Sequence, residues 1–437
     1  QEQEQEPPKE KNKKNPPRLV KAKNLSSAYM CIMRDAEAGK LQPHRSRNII
    51  PGVRLNTLLV ALCMLAVFGY ILLIHPRHDH VKVNRTIIRV IAKHEPKATV
   101  PLRYAPFQRP FLREKITMAF VMCEDIFNLG IVTVKSAVAY SYTRLHLIII
   151  ADKQNEEKMR KEYSSWPDNV KKRVSCDVLP LWFPKGSGHK WRPLFRPCAT
   201  QRLFLPSMLP DVDAVLYADT DVIFLHPIED FWRMFYAMNE YQMAGMAPET
   251  ENLENNYYIK RKVFHPYVQP LGLNAGLMMM NLTRLRAFDL EDHITRQLEE
   301  FEERISFEDQ DLLNILFAQY PQGLFTFSCR WNYRREHCLG GALCADGPIA
   351  AIHASRKVGL LKQVPAFVAL HAAMGNFKLG QNLVDDFIVP LRTSLWNTNL
   401  SNTASTGCTR ELRKQLHLLR LAASRVDNMT AQAAATN

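Results

Sequence analysis

From about residue 115 onward, short continuous apolar runs alternate with longer stretches in which apolar positions recur every three or four residues. The runs TMAFVMC (117–123), LHLIIIA (145–151), VSCDVLPL (174–181) and AVLYAD (214–219) have the length and β-branched content of strands. Helical spacing holds from Asp125 to Tyr142, a charged helix-like segment covers 154–163, and CATQRLFLPSML separates the third run from the fourth. Runs that are apolar throughout are buried on both faces, so the alternation implies a parallel sheet with helices on each side, an α/β fold. In such sheets ligands bind beyond the carboxyl ends of the strands.

Two further patterns lie outside this alternation. Leu55 to Ile74, LNTLLVALCMLAVFGYILLI, is twenty residues without a charge. That length crosses roughly 30 Å of hydrocarbon as a helix, which predicts a single transmembrane signal anchor. It would divide the chain into a disordered cytoplasmic tail (1–54), the span (55–74), a lumenal stem (75–113), a catalytic domain (114–380) and a C-terminal extension (381–437). Near the end, LRKQLHLLRLAASRV (412–426) sets Leu412, Leu416, Leu419 and Val426 on one helical face. That face is expected to pack onto the domain, with membrane-surface contact as the alternative.

Composition narrows the possibilities. With 46% apolar residues in 437, the chain has enough to bury a sizeable core. The net charge of +14 is scattered without an aromatic-interleaved basic stripe, which argues against nucleic acid and is compatible with an acidic small molecule. Basic residues flank the apolar run on both sides, so charge does not orient it. Sequons at Asn84, Asn281, Asn399 and Asn428, and seven of the nine cysteines, lie beyond it. These features place the large domain in an oxidising lumen, of ER or Golgi, in a type II arrangement. Seven is odd, so at least one thiol is free or intermolecular, and the spacing of Cys329, Cys338 and Cys344 is poor for a zinc ribbon.

The candidate chemistry starts at YADTDVIFLHPIEDFW (217–232), where Asp219 and Asp221 leave the fourth run. Two carboxylates at i and i+2 with a turn between them can share one hard cation and leave positions open for phosphate oxygens. Alone, the pair is equally the solvated end of a strand.

Its neighbourhood is more specific. CATQRLFLP, the DxD segment, LNAGLMMMNLTR (273–284), FEDQDLLNILF (307–317) and IAAIHASRKVGLLKQVPAF (349–367) occur in an order that resembles glycosyltransferase family eight, the glycogenin-like retaining enzymes. Within it, WPDNVKKR, FRPCATQRLFLP, APE, DQDLLNI and WNYRREHC are similar to the glucoside xylosyltransferases. The resemblance covers about Thr117 to Met374. It implies a GT-A type nucleotide-sugar-binding, Rossmann-like mixed sheet. It further implies an enzyme that moves xylose from UDP-xylose in α1,3 linkage to glucose O-linked on EGF-like repeats, including those of Notch-type receptors, with Mn²⁺ as cofactor.

The resemblance also implies roles. Asp219, Asp221 and His353 correspond to the family's metal ligands. Asn274, Ala275 and Gly276 correspond to the segment beneath the donor sugar, with a tight turn as the bland alternative. Asp309 and Gln310 match the pair facing donor and acceptor, although Asp309 could equally cap the helix DLLNILFAQY. Arg202 matches a basic donor contact, against a surface position on a helix. Thr220 lies within the DxD turn, and uridine is expected against Val121, Met122, Cys123 and Glu124. After His353 the chain departs from the family: the HG pair is His353–Ala354, and Arg356, Lys357 or Lys362 compete for the basic phosphate contact. Retention is expected through front-face attack, with the leaving phosphate accepting the acceptor's proton. Rival expectations are a UDP-glucose or UDP-galactose donor, and a catalytically silent glycan-binding scaffold.

Overall fold

The computed structural model describes residues 115–435 except 187, 189, 192–197, 340–343, 345, 355–363 and 399–405. The expected tail, span and stem, and the positions Arg356 and Lys362, lie outside the described residues. Among the described residues no helix is long and apolar enough to cross a membrane.

The first three apolar runs form β1 (Ile116–Met122), β2 (Leu145–Ala151) and β3 (Val174–Pro180), paired in parallel along their whole lengths. β4 (Ala214–Ala218) joins the other side of β1, also in parallel. The helical stretch after β1 becomes a 3₁₀ turn at Glu124–Ile126 followed by α1 (Phe127–Ala139). The charged segment forms α2 (Lys153–Ser164), which starts where the Asp152 carboxylate accepts the Asn155 N–H at 3.0 Å.

Beyond β4 the sheet is no longer parallel. β5 (Val222–Phe224) leaves it, β6 (Ala244–Pro248) and β7 (Leu273–Asn281) return, and β8 (Leu324–Thr326) closes the edge, giving the order β3-β2-β1-β4-β7-β6-β8. β7 runs antiparallel to both β4 and β6. The mixed sheet is therefore observed, and the wholly parallel one expected from alternation is not. All nine residues of β7 are buried, and continuous burial reads the same whichever way the neighbouring strand runs. β5 instead pairs antiparallel with β9 (Ala351–His353) in a two-stranded ribbon.

Alternate side chains of the sheet feed two apolar cores. Met118, Phe120, Leu147 and Ile149 pack on the side of α1. Ala119, Val121, Ile148 and Ile150 share the opposite core with residues of α3 (Leu290–Phe301) and α4 (Glu308–Gln319). The first core continues through α5 (Pro365–Asn376), α6 (Val389–Asn397) and α7 (Thr406–Ala435). Leu412, Leu416, Leu419 and Val426 are all buried there, so the apolar face of the last helix packs onto the domain and is not left for a membrane surface.

Disulfides join Cys123 to Cys198, Cys329 to Cys344 and Cys338 to Cys408, and Cys176 stays free, as the odd count requires. Of the two sequons within described residues, Asn428 is exposed. Asn281 is buried and its side chain accepts the Arg284 N–H at 3.0 Å as a helix cap, so it is not an acceptor for glycan in the folded protein.

Candidate active site

The antiparallel insertion of β7 explains why distant residues meet. The end of β4 lies beside the start of β7, and the Asp219 N–H donates to the Gly276 carbonyl at 2.8 Å. The chain then turns into β5, whose Val222 pairs with His353, and the Ala354 N–H donates to the Asp221 carbonyl at 2.9 Å. Consequently His353 Nε2 sits 3.2 Å from Asp221 Oδ1 and 3.9 Å from Asp219 Oδ2. One donor atom from each residue falls within 4.8 Å of the others. His353 Nδ1 is engaged by Asn332 Oδ1 at 2.8 Å, which leaves Nε2 facing the carboxylates. Two carboxylates and one imidazole nitrogen suit a divalent cation and leave coordination positions for other oxygens. Burial pushes the Asp221 carboxyl up, but the adjoining His353 brings it below the ordinary carboxylate value.

Gly276 is needed here for a reason the sequence did not suggest. A Cβ at this position would lie 2.0 Å from His353 Cε1, so the imidazole rests directly on the bare backbone. Asn274, Ala275 and Gly276 belong to β7 itself and not to a tight turn.

Arg202 is buried, not on the surface. It lies 2.9 Å from Asp219 Oδ1 through Nη2 and 2.6 Å from Asp309 Oδ2 through Nε, and its Nη1 donates to the Ala275 carbonyl. Its guanidinium stacks 4.5 Å from the centre of the Tyr217 ring, and the Tyr217 hydroxyl donates to Asp219 Oδ1 at 2.9 Å. Burial works against its charge, but the carboxylates of Asp219 and Asp309 hold it protonated well above the usual range. Only a planar fork of donors can address both acids and a carbonyl together.

Asp309 is the second residue of α4 and does not cap it. The N-cap is Phe307, without a side-chain cap, and it is Asp311 Oδ2 that accepts the Ser306 and Phe307 N–H groups, each at 2.8 Å. Burial raises the Asp309 carboxyl to about 7, Arg202 opposes the rise, and Asp219 adds to it. Gln310 is held at both ends of its amide: Oε1 accepts from Asn274 Nδ2 at 3.1 Å and the Ala275 N–H at 3.2 Å, and Nε2 donates to Glu249 Oε2 and the Tyr258 hydroxyl, both at 3.3 Å.

Arg202, Asp219, Asp221, Asn274, Ala275, Gly276, Asp309, Gln310 and His353 line one cleft with about 640 Å³ of open space. Thr220 and the β1 residues do not line it. The Thr220 carbonyl accepts from Thr133 Oγ1 at 2.6 Å, which turns the residue back onto α1. Met122 is fully buried near Gly130 of α1, Cys123 is tied to Cys198, and the Glu124 N–H donates to Asp152 Oδ2 at 2.6 Å. Val121 faces the opposite core from Met122. These five expected donor positions therefore stand beside the cleft and not in its lining, and successive strand residues face opposite sides of the sheet.

Sequence reasoning missed Glu249, Asn332 and Arg334. The Glu249 carboxylate lies 2.9 Å from Arg334 Nη1, with both side chains buried, and accepts from Asn274 Nδ2 at 3.0 Å. Each stands inside a segment already singled out, APE or WNYRREHC, but no local pattern tells a buried polar residue from a solvated one.

Comparison with known proteins places the sequence among glycosyltransferases. The family model for glycosyl transferase family 8 matches residues 196–336. Glucoside xylosyltransferase 1 of Rattus norvegicus is 36% identical over 310 residues, which is 68% of this chain and 70% of that protein. Glucoside xylosyltransferase 2 of Mus musculus is 35% identical over 297 residues, 65% of this chain and 67% of that one. The crystal structure of mouse xyloside xylosyltransferase 1 aligns over 56% of this chain and 99% of its own, at 16% identity and a TM-score of 0.39.

Proposed function

The chain belongs to glycosyl transferase family 8, and we propose that it transfers xylose from UDP-xylose in α1,3 linkage, with retention, to glucose O-linked on EGF-like repeats such as those of Notch-type receptors. The observation that carries this reading is the single cleft in which Asp219, Asp221 and His353 stand opposite Asp309 and Gln310, with buried Arg202 bridging the two sides. The choice of sugar and acceptor is supported by the two relatives named glucoside xylosyltransferase.

In the reaction the bond from the xylose anomeric carbon to the β-phosphate oxygen breaks, and its electron pair leaves with UDP. The acceptor hydroxyl forms the new bond and gives its proton to the departing phosphate. A divalent cation such as Mn²⁺, held by Asp219, Asp221 and His353, would neutralise charge on that phosphate. Asp309 is ill suited to attack the sugar as a nucleophile, because its carboxylate is pinned 2.6 Å from Arg202. A better role for it is fixed negative charge near the sugar, where positive charge develops in the transition state. Gln310, locked by four hydrogen bonds, offers a rigid wall to donor and acceptor.

The apolar run 55–74 supports a type II anchor with the catalytic domain on the lumenal side of ER or Golgi membranes, and the three disulfides fit that compartment. A donor screen tests the activity: UDP-xylose, UDP-glucose and UDP-galactose are offered with an O-glucosylated EGF repeat, and UDP release and product mass are followed. Preferred use of UDP-xylose is expected. Preference for a hexose donor would replace the sugar assignment, and no turnover with any donor would favour the silent scaffold. Endoglycosidase-sensitive mobility and protease protection in intact microsomes test the topology.

A further inference from the structure

We propose that Asn332 is a positioning residue that determines which nitrogen of His353 can ligate a cation, and that the direction of its amide is dictated from Glu249 through Asn274. The inference rests on the reading of Asp219, Asp221 and His353 as a divalent cation site.

Donors and acceptors alternate along a buried chain of side chains from Glu249 to His353. An ionised carboxylate can only accept. Glu249 is kept in that state by Arg334, 2.9 Å away, with both side chains almost wholly buried. Its Oε2 therefore receives the NH₂ of Asn274 at 3.0 Å, which turns Asn274 Oδ1 the other way, where it accepts the Gly276 N–H at 3.1 Å. The end of the Asn332 side chain that meets this Oδ1, at 3.1 Å, must then be its NH₂. Only the Asn332 carbonyl is left for His353, and an oxygen 2.8 Å from Nδ1 requires a proton on Nδ1. Nε2 is thereby the nitrogen that offers its lone pair toward Asp219 and Asp221. Were the Asn332 amide flipped, its NH₂ would demand an acceptor at Nδ1. The imidazole proton would move to Nε2 and point into the cation site.

The backbone fixes the distance over which this works. The Asn332 N–H donates to the Cys329 carbonyl at 2.9 Å, just after the Cys329–Cys344 disulfide. The Tyr333 N–H donates to the Ala351 carbonyl and the His353 N–H to the Tyr333 carbonyl, both at 2.9 Å, so residues 332 and 353 are carried side by side. Asn332 itself is 1% exposed, so water is not available as a substitute acceptor.

The test is a direct titration of the purified full chain with Mn²⁺, read by the paramagnetic signal of free ion and by calorimetry. Asn332→Leu is expected to weaken Mn²⁺ binding by about 10- to 100-fold, while the metal-free protein still unfolds in one cooperative transition at a somewhat lower temperature, because His353 Nδ1 and Asn274 Oδ1 each lose a buried partner. Asn332→Asp keeps an acceptor for Nδ1–H but sets a second acceptor against Asn274 Oδ1, and is expected to lose clearly less affinity than Asn332→Leu. Glu249→Gln releases the direction of the Asn274 amide and is expected to give an intermediate loss. It also carries the test should Asn332→Leu fail to fold. Parent-like affinity in Asn332→Leu, or equal losses in the Leu and Asp variants, would overturn the proposal. If the parent binds Mn²⁺ no better than Asp221→Asn, the cation site itself is wrong, and that failure is distinguishable from the first two.

Discussion

The inner strands on the two sides of the central sheet, β1 and β2 against β4 and β7, are comparably buried and differently built. On the β1–β2 side, all seven residues of β1 and six of the seven in β2 are buried, and Thr117 is the one polar side chain among them. On the β4–β7–β6 side the sheet is as dry, yet Arg202, Glu249, Asn274, Asp309, Asp311, Asn314, Asn332, Arg334 and His353 are all buried against it or beside it. Apolar burial is non-directional, and many arrangements of similar volume provide it. A buried polar group is costly unless a particular partner meets it, so such a network specifies one arrangement. The cleft lies on the side that carries this cost, and stability is drawn from both.

This contrast can be broken by experiment, and the largest effect should come from the apolar side. Phe120→Ala removes a fully buried ring and is expected to cost about 4 kcal/mol of stability in denaturant titration. The turnover number of the molecules that remain folded should not change, and a fall in kcat at preserved stability would erase the distinction between the halves. On the polar side Asp309→Asn is expected to lower kcat about a hundredfold, near 2.7 kcal/mol of barrier, with Tm changed little. Unchanged kcat and KM for both substrates would remove Asp309 from the chemistry, leaving no role as a helix cap to fall back on.

The same residue sharpens the comparison through pH. Burial raises the Asp309 carboxyl to about 7, and the proposed role needs the ionised form. The ionised fraction grows as pH rises, so kcat/KM should climb with pH and level off above about 7. A cation on Asp219 would cancel the charge that helps raise this value and draw the limb lower. Asp309→Asn should lose the limb, and a limb that survives the substitution belongs to another group.

The smallest effect is expected outside both halves, where α7 is clamped at the surface. Arg425 meets Asp230 with contacts of 2.6 and 3.0 Å, and His226 lies 3.2 Å from the same carboxylate. Burial pushes the Asp230 carboxyl up, but hydrogen bonds from His226 and Arg425 outweigh it and hold the group at about 2. Because this is below the unfolded value of about 3.9, the stabilisation is present above that pH and is lost as pH falls toward 2. Arg425 is 41% exposed, so solvent screening limits the pair to about 1 kcal/mol or less. Arg425→Met should flatten the acid limb of the stability profile by that amount in urea titrations at about pH 5 and pH 3.

Much of the candidate site is legible in the sequence. Asp219, Asp221 and His353 converge, Arg202 joins Asp219 to Asp309, and Asn274 to Gly276 line the same cleft as Gln310. Thr220 and Val121 to Glu124 lie outside the lining of that cleft, because adjacency in sequence does not make neighbouring side chains converge and strand side chains alternate. Glu249, Asn332 and Arg334 went unnoticed because a lone acid, amide or guanidinium leaves no periodic trace. Their partners in this network stand 21 to 85 residues away along the chain.

The amino-acid order by itself determined the strand and helix alternation, the DxD turn at a strand end, the apolar face of the last helix and the surplus thiol. Each of these follows from local periodicity, residue type or a count, and needs no knowledge of what packs against it. Only the tertiary structure decided that β7 runs antiparallel beside β4, that Asp311 and not Asp309 tends the start of α4, and that Gly276 makes room for an imidazole. It also decided the direction of every amide from Glu249 to His353. Strand direction, hydrogen-bond partners and close approach are relations between segments, and a relation of that kind is set by the one packing that satisfies all buried polar groups together.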